Sequence, residues 1–419
     1  GVRHLLVMAQ TVLGNISLGY RLLWNQLRQP AAIQLFVNTD ADVSIDAAHL
    51  LASLHELWSE QAPVLLLATH SPLLLHDLLD KGTANDPWVQ LPEAWLSDPI
   101  LVQRAHQAHL RGLKLVWCGE AEQRPNPILA SRLHKSIITL STEEALQGLR
   151  ASLHPQRGNG SPVDSPVVAG QIYDQVASRT LAEHCLDQQG AWALAGWPAE
   201  DVLLSYQQQL IQPAQTAMAR LLEAIDADLS LDAIEQLLSE EPVLAYRFLR
   251  YVNSVGLGLR SEVESIRRGL MVLGYSVLKT WLLEQLPHAG SDLNLQPVRT
   301  MVVTRAHLME RLLDAGEEDN LRREVYLCGL LSQIDLLLGE PLSTALERLP
   351  LPERINAALL QHSGPYAPYL EIAAALESSD TRATHALCTA HQIGLGEVNR
   401  ALLRTLAAIP ARPARGVLA

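Results

Sequence analysis

The stretch EEPVLAYRFLRYVNSVGLGLRSEVESIRRGLMVLGYSVLKTWLLEQL, Glu240 to Leu286, decides the fold of the second half of this chain. Pro242 suits the first turn of a helix, where its missing N–H costs nothing. Leu244, Phe248, Tyr251 and Val252 then fall at i, i+4, i+7 and i+8 and make one apolar face. The pattern stops near Asn253 and Ser254, before Gly256 and Gly258, whose freedom to take positive φ fits a helix-to-helix connection. Ser265 is placed to cap the next helix, Gly274 to end it in the left-handed region, and Ser276 to start another. Upstream, Ser230 can cap a helix through Leu238. Downstream, helical patterns run over 296–315, 321–338, 352–361 and 366–378, and on through the Ala/Leu-rich end. These residues predict an all-helical domain over 199–419, with its core at about 212–380.

The first half has another rhythm. Strand-length apolar runs at 33–38, 64–68, 113–116, 136–140 and 167–173 alternate with helical patterns such as 47–61, 97–111 and 178–189. Alternation of this kind predicts a parallel sheet, open or closed into a barrel. The Gly/Pro/Ser-rich stretch 153–166 reads as a surface loop, because a strand and a helix pattern follow it. The boundary between the halves falls near residues 198–212.

The formal charge of −13 argues against a general nucleic-acid binder, which needs a concentrated basic surface. Only 4 of the 32 cationic residues are Lys, an imbalance that carries no functional conclusion. Cys118, Cys185, Cys328 and Cys388 lie far apart and form no CxxC pair, so reduced thiols are expected and neither a zinc knuckle nor a disulfide framework. No apolar run approaches the roughly 18 residues that span a bilayer. No basic region followed by an apolar core marks a signal peptide. A soluble, cytoplasmic protein is the expectation.

The helical half resembles an HDOD module, a relative of the HD metal phosphohydrolases without their metal ligands. The resemblance rests on the linked series of acidic-Pro, helix, N-S, small loop, S-I-R and L-G in Glu240 to Leu286. It continues in CGLLSQIDLLLG (Cys328 to Gly339) and LERLPLPERINAALLQHSG (Leu346 to Gly364). The first half, about residues 4–198, is similar to a shortened, degenerate EAL domain. Here GYRLLWN (Gly19 to Asn25) takes the place of the signature strand, with Arg21 where a metal-binding Glu stands in the family. LFVNTD keeps Asn38; LVWCGE puts Cys118 and Gly119 in the places of paired aspartates; SIITLS brings Thr139 and Ser141 where the catalytic Lys strand belongs; and GAWALAGWP has Ala195 at a Gln position. The resemblance implies a bacterial two-domain EAL–HDOD signalling protein: a TIM-like (β/α) barrel of α/β class, then an HD-related helical bundle.

EAL phosphodiesterases hydrolyse cyclic di-GMP with metal-activated water, and hard cations need oxygen ligands. A guanidinium at position 21 cannot ligate, and thiol and hydroxyl groups replace carboxylates poorly. The family's ligand set is therefore read as lost, leaving a vestigial pocket of Arg21, Asn38, Cys118, Glu120 and Thr139. Asp40, Asp42, Glu120 and Glu122, past strand ends, read as solvating acids. In the helical half, Ser332 and Gln333 stand where HD enzymes carry their His-Asp pair, and Asp335 is turned about 200° from Gln333 on a continuous helix. His307 is the remaining vestige, read as a structural histidine. His385, Cys388 and His391 offer ligand atoms but lack a fourth group. No GxSxG, GxxxxGK[ST] or HExxH is present.

No cofactor or metal is expected. The leading expectation is a non-catalytic regulatory or scaffolding protein acting through protein contacts, with unidentified signalling partners and a homodimer left open. Trp24, Trp58, Trp88, Trp197 and Trp281 are candidate contact residues, because Trp is enriched at hot spots. The rivals are an inactive sensor of cyclic di-GMP or another nucleotide, and a residual cyclic di-GMP phosphodiesterase.

Overall fold

The computed structural model describes residues 12–40, 44–154, 156–161, 164–254, 257–258, 261–313 and 318–410. Asp42 and Gly256 lie outside them. The chain forms two compact units, residues 1–198 with 374–419, and residues 199–373.

The first unit is a closed eight-stranded barrel in sequential order. Its strands are β1 (Ser17–Trp24), β2 (Pro30–Asn38), β3 (Val64–Ala68), β4 (Trp88–Pro92), β5 (Leu115–Glu120), β6 (Lys135–Thr139), β7 (Ile172–Asp174) and β8 (Ala193–Ala195). Strands β2 to β8 run parallel, but β1 is antiparallel to both neighbours, which corrects the all-parallel expectation. The cause is local. Asn25 to Gln29 reverses the chain, with the Asn25 N–H donating to the Gln29 carbonyl and the Asn25 side chain accepting from Leu27 and Gln29. So tight a connection leaves no room for the crossover that parallel pairing requires. Arg28 takes φ 57° in this turn and is pinned by two hydrogen bonds to Asp187.

Helices separate most of the parallel strands, and their caps follow local chemistry. Asp46 caps α1 (Ala47–Leu57), Ser71 caps α2 (Pro72–Lys81), and Asp98 caps α3 (Pro99–Leu110). Asn126 caps the short α4 (Pro127–Ala130). Ser141 and Glu144 form a capping box on α5 (Thr142–Leu153), so Ser141 closes a helix end. Between β7 and β8 only α6 (Arg179–Glu183) and one wide turn intervene. Alternation splits the strands cleanly. Leu23, Ala32, Leu66, Trp88, Val116, Ile137, Ile172 and Ala193, one from each strand, fill the barrel interior. Trp117, Ile138, Tyr173 and Leu194 face the helices outside.

The second unit is all helical among its described residues: α7 (Ala199–Leu204), α8 (Gln215–Asp226), α9 (Leu231–Ser239), α10 (Pro242–Val252), α11 (Ile266–Gln285), α12 (Gln296–Leu312), α13 (Asp319–Leu331), α14 (Ile334–Leu338), α15 (Leu342–Glu347), α16 (Glu353–Gln361) and α17 (Ala367–Leu376). Ser230 and Ser265 cap α9 and α11 through their hydroxyls, and Gly274 takes φ 76° in a kink of α11. Eight residues of α10 are buried, including Val243, Leu244, Phe248 and Val252, which makes it the central helix. Asn253 then holds the next loop, its side chain donating to Leu249 and Val263 carbonyls and accepting from the Val263 N–H.

The helical domain does not run to residue 419. Among the described residues, 374–410 group with the barrel unit, through α18 (Arg382–Ala390) and α19 (Leu395–Ala407). The reason is burial: Val398, Leu402, Leu403 and Leu406 of α19 are fully covered, and buried Asn399 donates to the carbonyls of Leu13 and Ile16.

Candidate functional site

Two residues above the apolar interior layer, the same strand phase places Arg21, Gln34, Gln90, Cys118, Thr139 and Asp174 inside the barrel. Direct bonds join four of them. The Arg21 guanidinium donates to Asp174 at 2.8 and 3.2 Å and to Gln34 Oε1 at 2.7 and 3.0 Å. Gln34, 1% exposed, passes its own amide N–H to Gln90 Oε1 at 2.6 Å. Cys118 stands beside this network, its thiol pushed up to about 11 by burial, then by the Asp174 charge, against the opposing pull of Arg21. The arrangement is a self-satisfied polar layer built around a cation of the protein's own.

An EAL-type centre would hold divalent metal here. The donors present do not fit one: Asp174 and Gln34 already spend their oxygens on a guanidinium, and Cys118 keeps its proton. Among the described residues no group of three or more His, Cys, Asp or Glu side chains is placed to bind a metal ion.

Of the residues singled out in the sequence, Arg21, Cys118 and Thr139 share this layer. Asn38 lies at the C-terminal end of β2, the mouth of the barrel, where its Oδ1 accepts from the His70 N–H and its Nδ2 donates to Thr381, both at 3.1 Å. Glu120 is exposed and closes the short turn after β5 through a capping box with Gln123. Asp40 and Glu122 are exposed as well. Gly119 does not face inward as an aspartate would; a Cβ there would meet the Trp117 ring at 2.6 Å. Gln34, Gln90 and Asp174 escape the sequence reading. Gln34 carries the only faint signal, a polar residue in the inward phase of an apolar strand. Trp24, Trp88 and Trp281 are buried core residues, and Trp58 and Trp197 are half-buried, which removes the first three as contact residues.

In the helical unit, His307 on α12 has its Nε2 4.0 Å from Glu240 and its Nδ1 3.7 Å from Glu310, with its ring 5.0 Å from Tyr326. These residues line a groove of about 1050 Å³ with Arg267, Met271 and Val272; Ser332 and Gln333 do not line it. Instead Ser332 ends α13, its hydroxyl donating to the Gly329 carbonyl, and Gln333 precedes α14 with non-helical φ −126°. This break corrects the single helix expected over 321–338, and with it the rotation estimated for Asp335. On α18, Cys388 is buried while His385 and His391 are exposed, so the three do not converge.

Residues 211–348 match the HDOD domain family. The helical unit carries an HDOD domain. In the sequence this domain follows the eight-stranded barrel. The cyclic di-GMP phosphodiesterase CdgJ of Vibrio cholerae is 22% identical over 197 residues, 47% of this chain and 46% of that protein. The uncharacterized protein YuxH of Bacillus subtilis is 29% identical over 171 residues, 40% of this chain and 38% of that one. The matched region thus spans less than half the length of either relative. Among solved structures, the MmoQ response regulator of Methylococcus capsulatus aligns with a TM-score of 0.38 at 16% identity, covering 46% of this chain and 98% of that one. The BlrP1 manganese/cyclic di-GMP complex of Klebsiella pneumoniae aligns at 0.29 and 9%, covering 44% and 55%. No helix among the described residues is long and apolar enough to cross a membrane.

Proposed function

We propose that this chain is a non-catalytic regulatory or scaffolding protein of bacterial signal transduction, acting in the cytoplasm through protein contacts. The observation that carries the reading is the Arg21 guanidinium, bonded to Asp174 and Gln34 at the centre of the barrel. A fixed cation there repels a divalent ion and consumes the carboxylate that would have bound it. The helical unit supports a contact role with its groove beside His307, where Met271 is 67% and Val272 45% exposed.

The test is product analysis of the full chain with cyclic di-GMP and added Mg²⁺ or Mn²⁺. No linear product is expected. Turnover that disappears on Asp174→Leu would overturn the reading.

Similarity to CdgJ, named a cyclic di-GMP phosphodiesterase, favours one further reading, a sensor that binds cyclic di-GMP without hydrolysing it. Calorimetry separates the two: the scaffolding reading expects no heat up to about millimolar ligand, an affinity worth only about 4 kcal/mol.

A further inference from the structure

The groove beside His307 carries an unbalanced charge. Among the described residues that line its 1050 Å³, seven carboxylates meet three guanidiniums. Arg267 pairs with Asp232 and Glu235, and Arg323 bonds Glu235 at 2.7 Å. Arg354, outside the lining, holds Glu324 at 2.8 Å. Among the described residues no guanidinium is paired with Glu240, Glu262, Glu264 or Glu310, and of the lining cations only Arg268 stands outside the ion pairs. The four acids come from three places, the end of α9, the approach to α11, and α12, and they face one cavity. Charges gathered this way add their potentials in the space between them. The same lining has an apolar part. Met271 and Val272, adjacent on α11, are 67% and 45% exposed, and Ile266 and Leu327 lie nearly covered at 7% and 5%. An exposed Met, flexible and polarizable, suits a contact that must adapt to its partner.

We propose that this groove docks a basic amphipathic helix of a partner protein, with apolar side chains on Met271 and Val272 and Lys or Arg side chains paired to Glu240, Glu262, Glu264 and Glu310. The proposal rests on the protein-contact reading above and gives the partner its chemistry. Nucleotides and nucleic acids are repelled by the same carboxylates. An extended peptide would need a sheet edge to pair with, and this unit is all helical among its described residues. A helix satisfies its own backbone and needs only a groove, in which residues at i, i+3 or i+4 and i+7 supply the apolar anchors.

The test is fluorescence anisotropy with the full chain and three labelled peptides of about 18 residues, long enough for five helical turns. One is an amphipathic Lys/Leu helix, one replaces its Lys by Glu, and one replaces its Leu by Ala. The Lys/Leu peptide is expected to bind at about micromolar Kd, at least about tenfold tighter than either of the others. Glu262→Lys with Glu264→Lys is expected to weaken it at least about tenfold, and Met271→Gln with Val272→Thr at least about fivefold. All four side chains are exposed, so the fold tolerates these changes. Glu60→Lys with Glu122→Lys, at exposed positions of the barrel unit, shifts the net charge equally and should alter binding by less than about twofold. No binding of the Lys/Leu peptide would overturn the proposal. So would equal binding of the Ala peptide or an equal loss in the barrel control, either of which reduces the effect to general attraction toward an acidic protein. A groove filled by a second copy of the chain would overturn it too, and would show in light scattering as a mass that Met271→Gln with Val272→Thr halves. The two readings fail separately: cyclic di-GMP turnover would end the non-catalytic reading and leave the anisotropy result as it stands.

Discussion

Asp174 holds the Arg21 guanidinium through two hydrogen bonds, with side chains 14% and 31% exposed. Hydrogen bonds to charged groups contribute about 1.5–3 kcal/mol, and partial exposure of Arg21 discounts that through solvent screening. Asp174→Leu, which strands the cation, is therefore expected to cost about 1–2 kcal/mol in urea unfolding. Adding Arg21→Met removes the stranded charge, and the double variant is expected to recover to within about 1 kcal/mol of the wild type. A double variant no more stable than Asp174→Leu alone would show that the pair does not act as a unit. Residues of this layer were only half legible in the sequence. Arg21 stood out because a motif position lacked its expected acid, whereas Asp174 closes a three-residue strand with no motif of its own. Its role exists only because barrel closure brings β7 to face a strand some 150 residues earlier, the pair lying at a sequence separation of 153.

Elements show the same division. Helix starts were readable where a side chain caps its own backbone, as at Ser230 and Ser265, because the signal is local. Strand β4 was not readable: Trp88–Pro92 is five residues with a Gln inside and a Pro at the end, and it is a strand because β3 and β5 pair with it on both sides. Helix packing decides one sign against propensity. Gly329 lies in α13 where a Cβ would meet the Ala306 Cα of α12 at 2.7 Å. In an exposed helix Gly→Ala gains about 1 kcal/mol. Here overpacking against backbone, which costs about 1–3 kcal/mol, is expected to win. Gly329→Ala should lower the thermal midpoint of the HDOD domain, and a raised midpoint would mean that the two helices separate freely.

At the scale of the whole molecule, thiols shielded by the fold contribute stability that alkaline pH removes. Burial pushes Cys185 and Cys328 up to about 12, and Cys118 and Cys388 to about 11, from an ordinary value of 9.0. The folded state keeps these protons after the unfolded chain has released them. Their stabilising contribution is thus complete below pH 9.0 and is lost as pH rises through about 11 to 12. Thermal midpoints measured from pH 8 to pH 11 should fall more steeply for the wild type than for Cys185→Ala. Parallel slopes would show that this thiol titrates alike in both states.

Local chemistry and periodicity were enough to fix two classes of architecture and the helix caps, each written within a few residues or in a repeat of 2 or 3.6; the likeness to HDOD and the reading of Arg21 as a cation in an acid's place came from family resemblance. Tertiary structure alone decided that β1 runs backwards, that Asp174 neutralises Arg21 while Gln34 accepts its other N–H groups, that the helix ends at Ser332, and that the chain after Ala374 returns to the barrel unit. These depend on which distant surfaces bury each other, and burial is a property of the closed fold that no window of sequence contains.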